Sequence, residues 1–304
     1  EQGCKFRLLA NRGITQYYSG LFKITLVGGI ENDGTIELGD MNNTHTASDG
    51  NLIYIEGDIE NNGTISWGGL NSYFQRQNDQ KIFGTQVTKG KTNLVIMHLN
   101  KTSVSNSLTT QIPLGDGNGI ADLRIEKGIF YHSYANKGKG LLSYCGADDF
   151  NIPSGCKFQV NVANSDVCLI VKEQSNRVKL EGTIQLVNNT ALSIKDRNGN
   201  SAGIGYADKA SINTSSSTVD LSFLAPFTGA DVALTFKDYL STYTFNEGAV
   251  PASCGVLDFR TGSNVSISKT TFNIKNSIEG FPVVNYCPSS STISNPPTTS
   301  LNIY

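Results

Sequence analysis

Charge is scarce in this sequence: Asp, Glu, Lys and Arg make up 16% of 304 residues, and the formal net charge is -2. Such a balance creates no basic field, so neither nucleic acid nor an anionic membrane surface is expected as a partner. No apolar run approaches the roughly 20 residues that carry a helix across a bilayer. No long stretch keeps the 3.6-residue apolar spacing of an amphipathic helix. There is no Cys-x-x-Cys pair, which removes zinc knuckles and thioredoxin-type redox chemistry. The histidines, His45, His98 and His132, stand in no Gly-x-Ser-x-Gly elbow and no His-Glu-x-x-His helix. Hydrolase triads and zincin centres therefore find no support, and surface or strand positions are expected for these rings. A glycine-rich phosphate loop between strand and helix is missing too, and no cofactor is expected.

What is plentiful is strand and turn chemistry. Gly occurs 31 times and Asn 30 times, both poor in helices. Val, Ile, Thr, Tyr and Phe dominate the apolar runs, as they do in strands. The sequence reads as all-β. It starts at Glu1 rather than Met, as expected of an exported chain whose signal peptide has been removed.

Cys4, Cys145, Cys156, Cys168, Cys254 and Cys287 are even in number, which points to oxidation outside the cell. Asn-x-Ser/Thr sequons at Asn42, Asn62, Asn100, Asn188, Asn213 and Asn264 point the same way. Cys254 and Cys287 bracket much of the last third and are the best-placed disulfide pair. The other four cysteines allow three pairings, among which spacing does not choose.

An internal repeat lies near the N-terminus. Ile24–Leu38 reads ITLVGGIENDGTIEL and Ile53–Trp67 reads IYIEGDIENNGTISW. Ile24, Leu26, Ile30, Ile36 and Leu38 fall on Ile53, Ile55, Ile59, Ile65 and Trp67, which places Trp67 inside. Apolar positions two apart mark strand faces, and Asn-Asp-Gly or Asn-Asn-Gly is turn chemistry. A hairpin array would need no such matching between distant segments. A parallel β-helix would, because equivalent residues stack about 4.8 Å apart and Asn32 over Asn61 then makes an amide ladder. With coils of roughly 20–30 residues, residues 1–209 would form on the order of eight of them. Short alternating strands after about Ala210 predict a small antiparallel β-sandwich over 210–287. Residues 288–304 open with a Ser/Thr/Pro-rich run and are expected to begin a stalk.

The repeated IENDGTI and IENNGTI resemble the N-terminal domain of yeast hyphally regulated cell-wall proteins, a group that includes adhesin-like wall proteins of pathogenic yeasts. The resemblance implies a right-handed parallel β-helix followed by a small α-crystallin-like β-sandwich. It also implies a secreted, extracellular location on the cell wall, with attachment to wall glucan through a GPI-derived anchor beyond this segment.

Parallel β-helices also serve polysaccharide-cleaving enzymes, which place paired carboxylates in one groove. Asp148 with Asp149, and Asp116 with Asp122, are the candidates. Adjacent strand residues point to opposite faces, so the first pair is not expected to converge. GDGNGIAD, which holds the second, lacks the twelfth-position Glu of a calcium loop and reads as an ordinary turn. No metal or catalytic residue is assigned. Tyr17, Tyr18 and Tyr131 are the candidates for an exposed ligand groove. The expected function is a monomeric, non-catalytic adhesin head that attaches a yeast cell to host or abiotic surfaces, with carbohydrate among the candidate ligands. A polysaccharide-cleaving lyase or hydrolase and a purely structural wall glycoprotein are the alternatives.

Overall fold

Alternation of large apolar residues with polar ones produces short strands, and the Gly/Asn corners between them turn the chain at a fixed spacing. The computed structural model describes residues 6–8, 13–18, 23–40, 52–68, 70–173, 176–186 and 190–199, and beyond them only short strands between 203 and 303. Every regular element among the described residues is a β-strand. The parallel sheets form a β-solenoid of about six turns.

Two compact units divide the chain: residues 1–134 with 142–144, and residues 135–141 with 145–304. In the first, the chain visits three sheets in turn. Sheet C holds Lys23–Leu26, Leu52–Ile55, Asn71–Phe74, Ile96–Asn100 and Ile120–Lys127. Sheet A holds Phe6–Leu8, Ile30–Asn32, Ile59–Asn61, Gln80–Phe83, Ser107–Thr110 and Ile129–His132. Sheet B holds Gly13–Tyr18, Thr35–Asp40, Thr64–Trp67 and Thr92–Asn93. The repeat is thus a stack of coils rather than a set of hairpins. Ile24 pairs with Ile53, Ile30 with Ile59, and Ile36 with Ile65, all in parallel register.

Stacking like on like fills the interior. Ile30, Ile36, Ile53, Ile55, Ile59 and Ile65 are all buried, each contributing about 1.5–3 kcal/mol of apolar transfer. Trp67 lies inside, 1% exposed, where the repeat register puts it. Its indole Nε1 has no hydrogen-bond partner, as is also true of the buried Ser193 hydroxyl, whereas other interior polar groups are satisfied locally. His132 is buried, with Nε2 2.8 Å from the Tyr134 carbonyl and Nδ1 2.7 Å from the Tyr144 hydroxyl. Coil corners are so close that a Cβ on Gly63 would lie 1.9 Å from the carbonyl oxygen of Gly34.

The second unit repeats the scheme. Lys157–Val160, Thr183–Leu186 and Ser211–Thr214 form one parallel ladder, and Phe150–Ile152, Arg177–Leu180 and Gly203–Tyr206 another. Asp166–Val171 pairs with Ala191–Asp196. Because Ser211–Thr214 extends a solenoid sheet, the coil pattern does not stop at residue 209. The strands described farther on also pair in parallel, as Ala233–Phe236 does with Val256–Phe259. No antiparallel pair occurs among the described strands of 210–287, where strand spacing predicts a sandwich. Most of 210–287, including every side chain of its strands, lies outside the described residues, and the predicted sandwich lies there with it. Thr292–Ser294 and Ser300–Ile303, within the predicted stalk, likewise run as strands in parallel pairs.

Candidate functional site

The outward face of sheet C carries a row of rings. In its strands the inward positions are apolar apart from Ser72, so Thr25, Tyr54, Tyr73, His98 and Arg124 all point outward at alternate positions. Parallel register places these five side by side on successive coils. The Tyr54 and Tyr73 rings are stacked with centroids 5.2 Å apart and planes 28° apart. Tyr73 and the His98 imidazole are closer, at 4.2 Å and 13°. The coil repeat sets this spacing, which is why three aromatic side chains from sequence-distant strands form one continuous stack.

Polar groups fix the ends. Lys23 Nζ lies 4.7 Å from the Tyr54 ring centroid, a cation over the first ring face. At the other end His98 Nδ1 meets Glu126 Oε1 at 2.6 Å, and Nε2 meets Asn71 Oδ1 at 3.1 Å. Both ring nitrogens are held by side-chain oxygens, so the imidazole plane is set by its partners as well as by the stack. Arg124 and Asp122 continue the face with a longer contact of 3.8 Å. The ring faces cover one another, and what the row offers to a ligand is ring edges and polar tips along a flat strip.

Asp122 and Glu126 are carboxylates of the strip, four positions apart on one strand with a register shift between them. Among the described residues no group of three or more His, Cys, Asp or Glu side chains is placed to hold a metal ion.

The tyrosines expected to line a groove are not brought together. Tyr17 and Tyr18 lie on the sheet B strand that pairs with Thr35–Asp40, whereas Tyr131 lies on sheet A, opposite Thr109. The side chains of Tyr17 and Tyr18 are outside the described residues. Asp148 and Asp149, in the bend before Phe150–Ile152, diverge to Lys172 at 3.0 Å and Lys179 at 2.6 Å. The hydrogen bond from Lys179 to Asp149 holds that amine above its usual range. Asp116 closes a turn, its carboxylate accepting the Asn118 and Ile120 amides at 2.8 and 3.2 Å.

Of the cysteines, Cys145, Cys156 and Cys168 are buried, and Cys145 and Cys168 share one apolar cluster with Ile170 and Leu141. Cys4, Cys287 and the side chain of Cys254 lie outside the described residues, so the Cys254–Cys287 pairing does too. Of the sequons, Asn100 is exposed at the end of a sheet C strand, and Asn62 is half-buried. Asn42 and Asn188, and the side chains of Asn213 and Asn264, are outside the described residues.

Sequence reasoning missed the ring stack because its members are unevenly spaced along the chain once the early repeat fades. The usable signal was that Thr25 falls on Tyr54 in the repeat, marking an outward column. No family model, curated protein or solved structure matches the chain, so likeness supplies no function.

Proposed function

We propose that this chain is the non-catalytic head of a yeast cell-wall adhesin and that the outward face of sheet C is its contact surface. The observation that carries this reading is the stack of Tyr54, Tyr73 and His98, flanked by Lys23 and Arg124, on a solvent-facing parallel sheet. Large amphipathic rings held by their neighbours lose little conformational entropy on binding, which is what a weak, repeated contact needs. Many copies on one cell then act by avidity. The resemblance of IENDGTI and IENNGTI to hyphally regulated wall proteins supports the same reading, including secretion, N-glycosylation, GPI-derived attachment to wall glucan, right-handed winding and a separate small β domain beyond residue 210. The ligand is a component of a host or abiotic surface, with carbohydrates first among those to test.

The test displays the chain densely on beads and measures retention on glycan arrays, host-cell layers and plastic. Retention above that of a control protein, and its loss in the Tyr54→Ser/Tyr73→Ser variant, is the expected result. Retention no better than control on every surface overturns the reading. Soluble reducing or unsaturated ends released from a polysaccharide panel would overturn its non-catalytic part.

A further inference from the structure

Among the described residues of the first unit, Lys101 is a fully buried lysine, 1% exposed, just after the strand Ile96–Asn100. Its stem passes over Gly128, where a Cβ would come within 2.8 Å of Lys101 Cγ. Its Nζ donates to the Asn78 carbonyl at 3.2 Å and to Oε1 of Gln80, which belongs to the preceding coil and is equally buried. Among the described residues no carboxylate lies within ion-pair distance of it. Asp79 and Asp58 act on it only from farther away. One oxygen of each is occupied, Asp79 accepting the Ser107 amide and Asp58 the Lys81 amide, each at 2.8 Å. A buried ammonium without a contacting anion is costly, and the neutral amine, a nucleophile, is the form such a site favours. Burial accordingly lowers this amine to about 8, against the opposing pull of Asp79 and Asp58.

Its neighbour is an electrophile held in place. Both N–H bonds of the Gln80 carboxamide are used, Nε2 donating to the carbonyls of Ile55 at 3.0 Å and Gly57 at 2.7 Å. That fixes the amide plane and turns its carbonyl to Lys101. Two reactants held in contact in a dry interior gain the effective concentration of an intramolecular reaction, of order 10⁵ M or more when well oriented.

We propose that Lys101 and Gln80 form an intramolecular isopeptide bond that staples consecutive coils of the solenoid. The Nζ lone pair adds to Gln80 Cδ, and the Nζ–Cδ bond forms as Cδ–Nε2 breaks. A proton passes from Nζ to the departing nitrogen, which leaves as ammonia. No oxidant, reductant or cofactor is consumed. Asp79 and Asp58 act on the amine only through their charge. The staple does not depend on the binding face: it crosses a corner from sheet C to sheet A, between coils that a pull on the head would otherwise peel apart.

The experiment is a peptide map of the full secreted chain, reduced and with N-glycans removed, before and after incubation at about pH 9, where more of the amine is neutral. Trypsin should yield Gln77–Lys81 joined to Thr92–Arg124, uncut after Lys101 and lighter than the sum of its parts by one ammonia. The branched product should already be present or should accumulate on incubation. It should be abolished in both Lys101→Met and Gln80→Met. A fully linear map after incubation of the folded chain overturns the proposal. So does a branch at Asp79, which the loss of water rather than ammonia would reveal.

Discussion

Asn32 Nδ2 donates to Asn61 Oδ1 across 2.7 Å, one coil to the next, with both side chains fully buried. Asn61 passes the chain on, its own Nδ2 donating to Thr92 Oγ1 at 2.8 Å and to the Lys91 carbonyl at 3.1 Å. Its Oδ1 also accepts the Gly63 amide at 3.1 Å. One side chain thus satisfies groups on three coils. Asn61→Ala leaves several of them buried without partners, and since each such loss costs about 1–3 kcal/mol, destabilisation of about 3 kcal/mol or more is expected. Urea unfolding followed by circular dichroism measures it, and a loss below about 1 kcal/mol would mean that water replaces the ladder.

Gly63 and Gly117 separate packing from turn chemistry. A Cβ on Gly63 would strike the Gly34 backbone, whereas one on Gly117 meets nothing within 4 Å. Gly63→Ala must push two coils apart and is expected to lower stability by more than about 2 kcal/mol. Gly117→Ala is expected to stay within about 0.5 kcal/mol of the parent, or to gain slightly from a stiffer unfolded chain. Equal effects in thermal melts of the two variants would show that corner spacing is not what Gly63 provides.

The coil was legible wherever sequence repeated itself. Asn32 over Asn61 and Trp67 inside were both readable from register, because stacking forces equivalent residues onto one column. Beyond Trp67 the columns remain but their members change: Ile53 is followed by Ser72, then Met97, then Leu123. A column tolerates any side chain that fits the interior, so identity is lost while geometry persists. The ring stack was hidden for that reason, since Tyr54, Tyr73 and His98 share an outward column and nothing in their chain spacing. Tyr17, Tyr18 and Tyr131 looked equivalent as exposed aromatics, but which sheet each joins depends on corner lengths that composition does not encode.

Tyr144 tests the buried polar pair. His132 Nε2 faces a carbonyl and so must carry the proton, leaving Nδ1 to accept from the Tyr144 hydroxyl. Burial of Tyr144 raises its phenol well above the usual range, which keeps the donor protonated. Tyr144→Phe strands Nδ1 without a donor and should cost about 1–3 kcal/mol in chemical unfolding. A neutral outcome would indicate that the imidazole turns to another partner.

Asn100 and Asn62 should differ as glycan acceptors. Asn62 has its amide committed, Nδ2 donating to Asp33 Oδ1 at 2.9 Å and Oδ1 accepting the Thr85 amide at 3.0 Å. Asn100 and Thr102 are both exposed, and Asn100 lies two residues beyond His98 on the same outward face. Glycopeptide mapping of chain secreted from a yeast host should find Asn100 occupied and Asn62 largely bare. A glycan there borders the contact strip, so Asn100→Gln should increase retention of coated beads. Occupancy of Asn62 over Asn100 would count against the corner geometry around Asp33.

Lys101 makes the pH dependence of stability report on its covalent state. Its folded value of about 8 lies below the ordinary 10.5, so the unfolded chain binds the proton more strongly between those values. Protonation therefore favours unfolding, and the linear chain should gain stability as pH rises through that window, relative to Lys101→Met. The full gain is roughly 3 kcal/mol, the free energy of a shift of that size. Once Nζ is an amide nitrogen it no longer titrates, and the gain over Lys101→Met should vanish in branched material. Urea titrations across the window, on preparations whose branched fraction is read from a peptide map of an aliquot, distinguish the two. A linear chain whose stability tracks that of Lys101→Met throughout would show that the amine is not desolvated, and would remove the chemical ground for the staple.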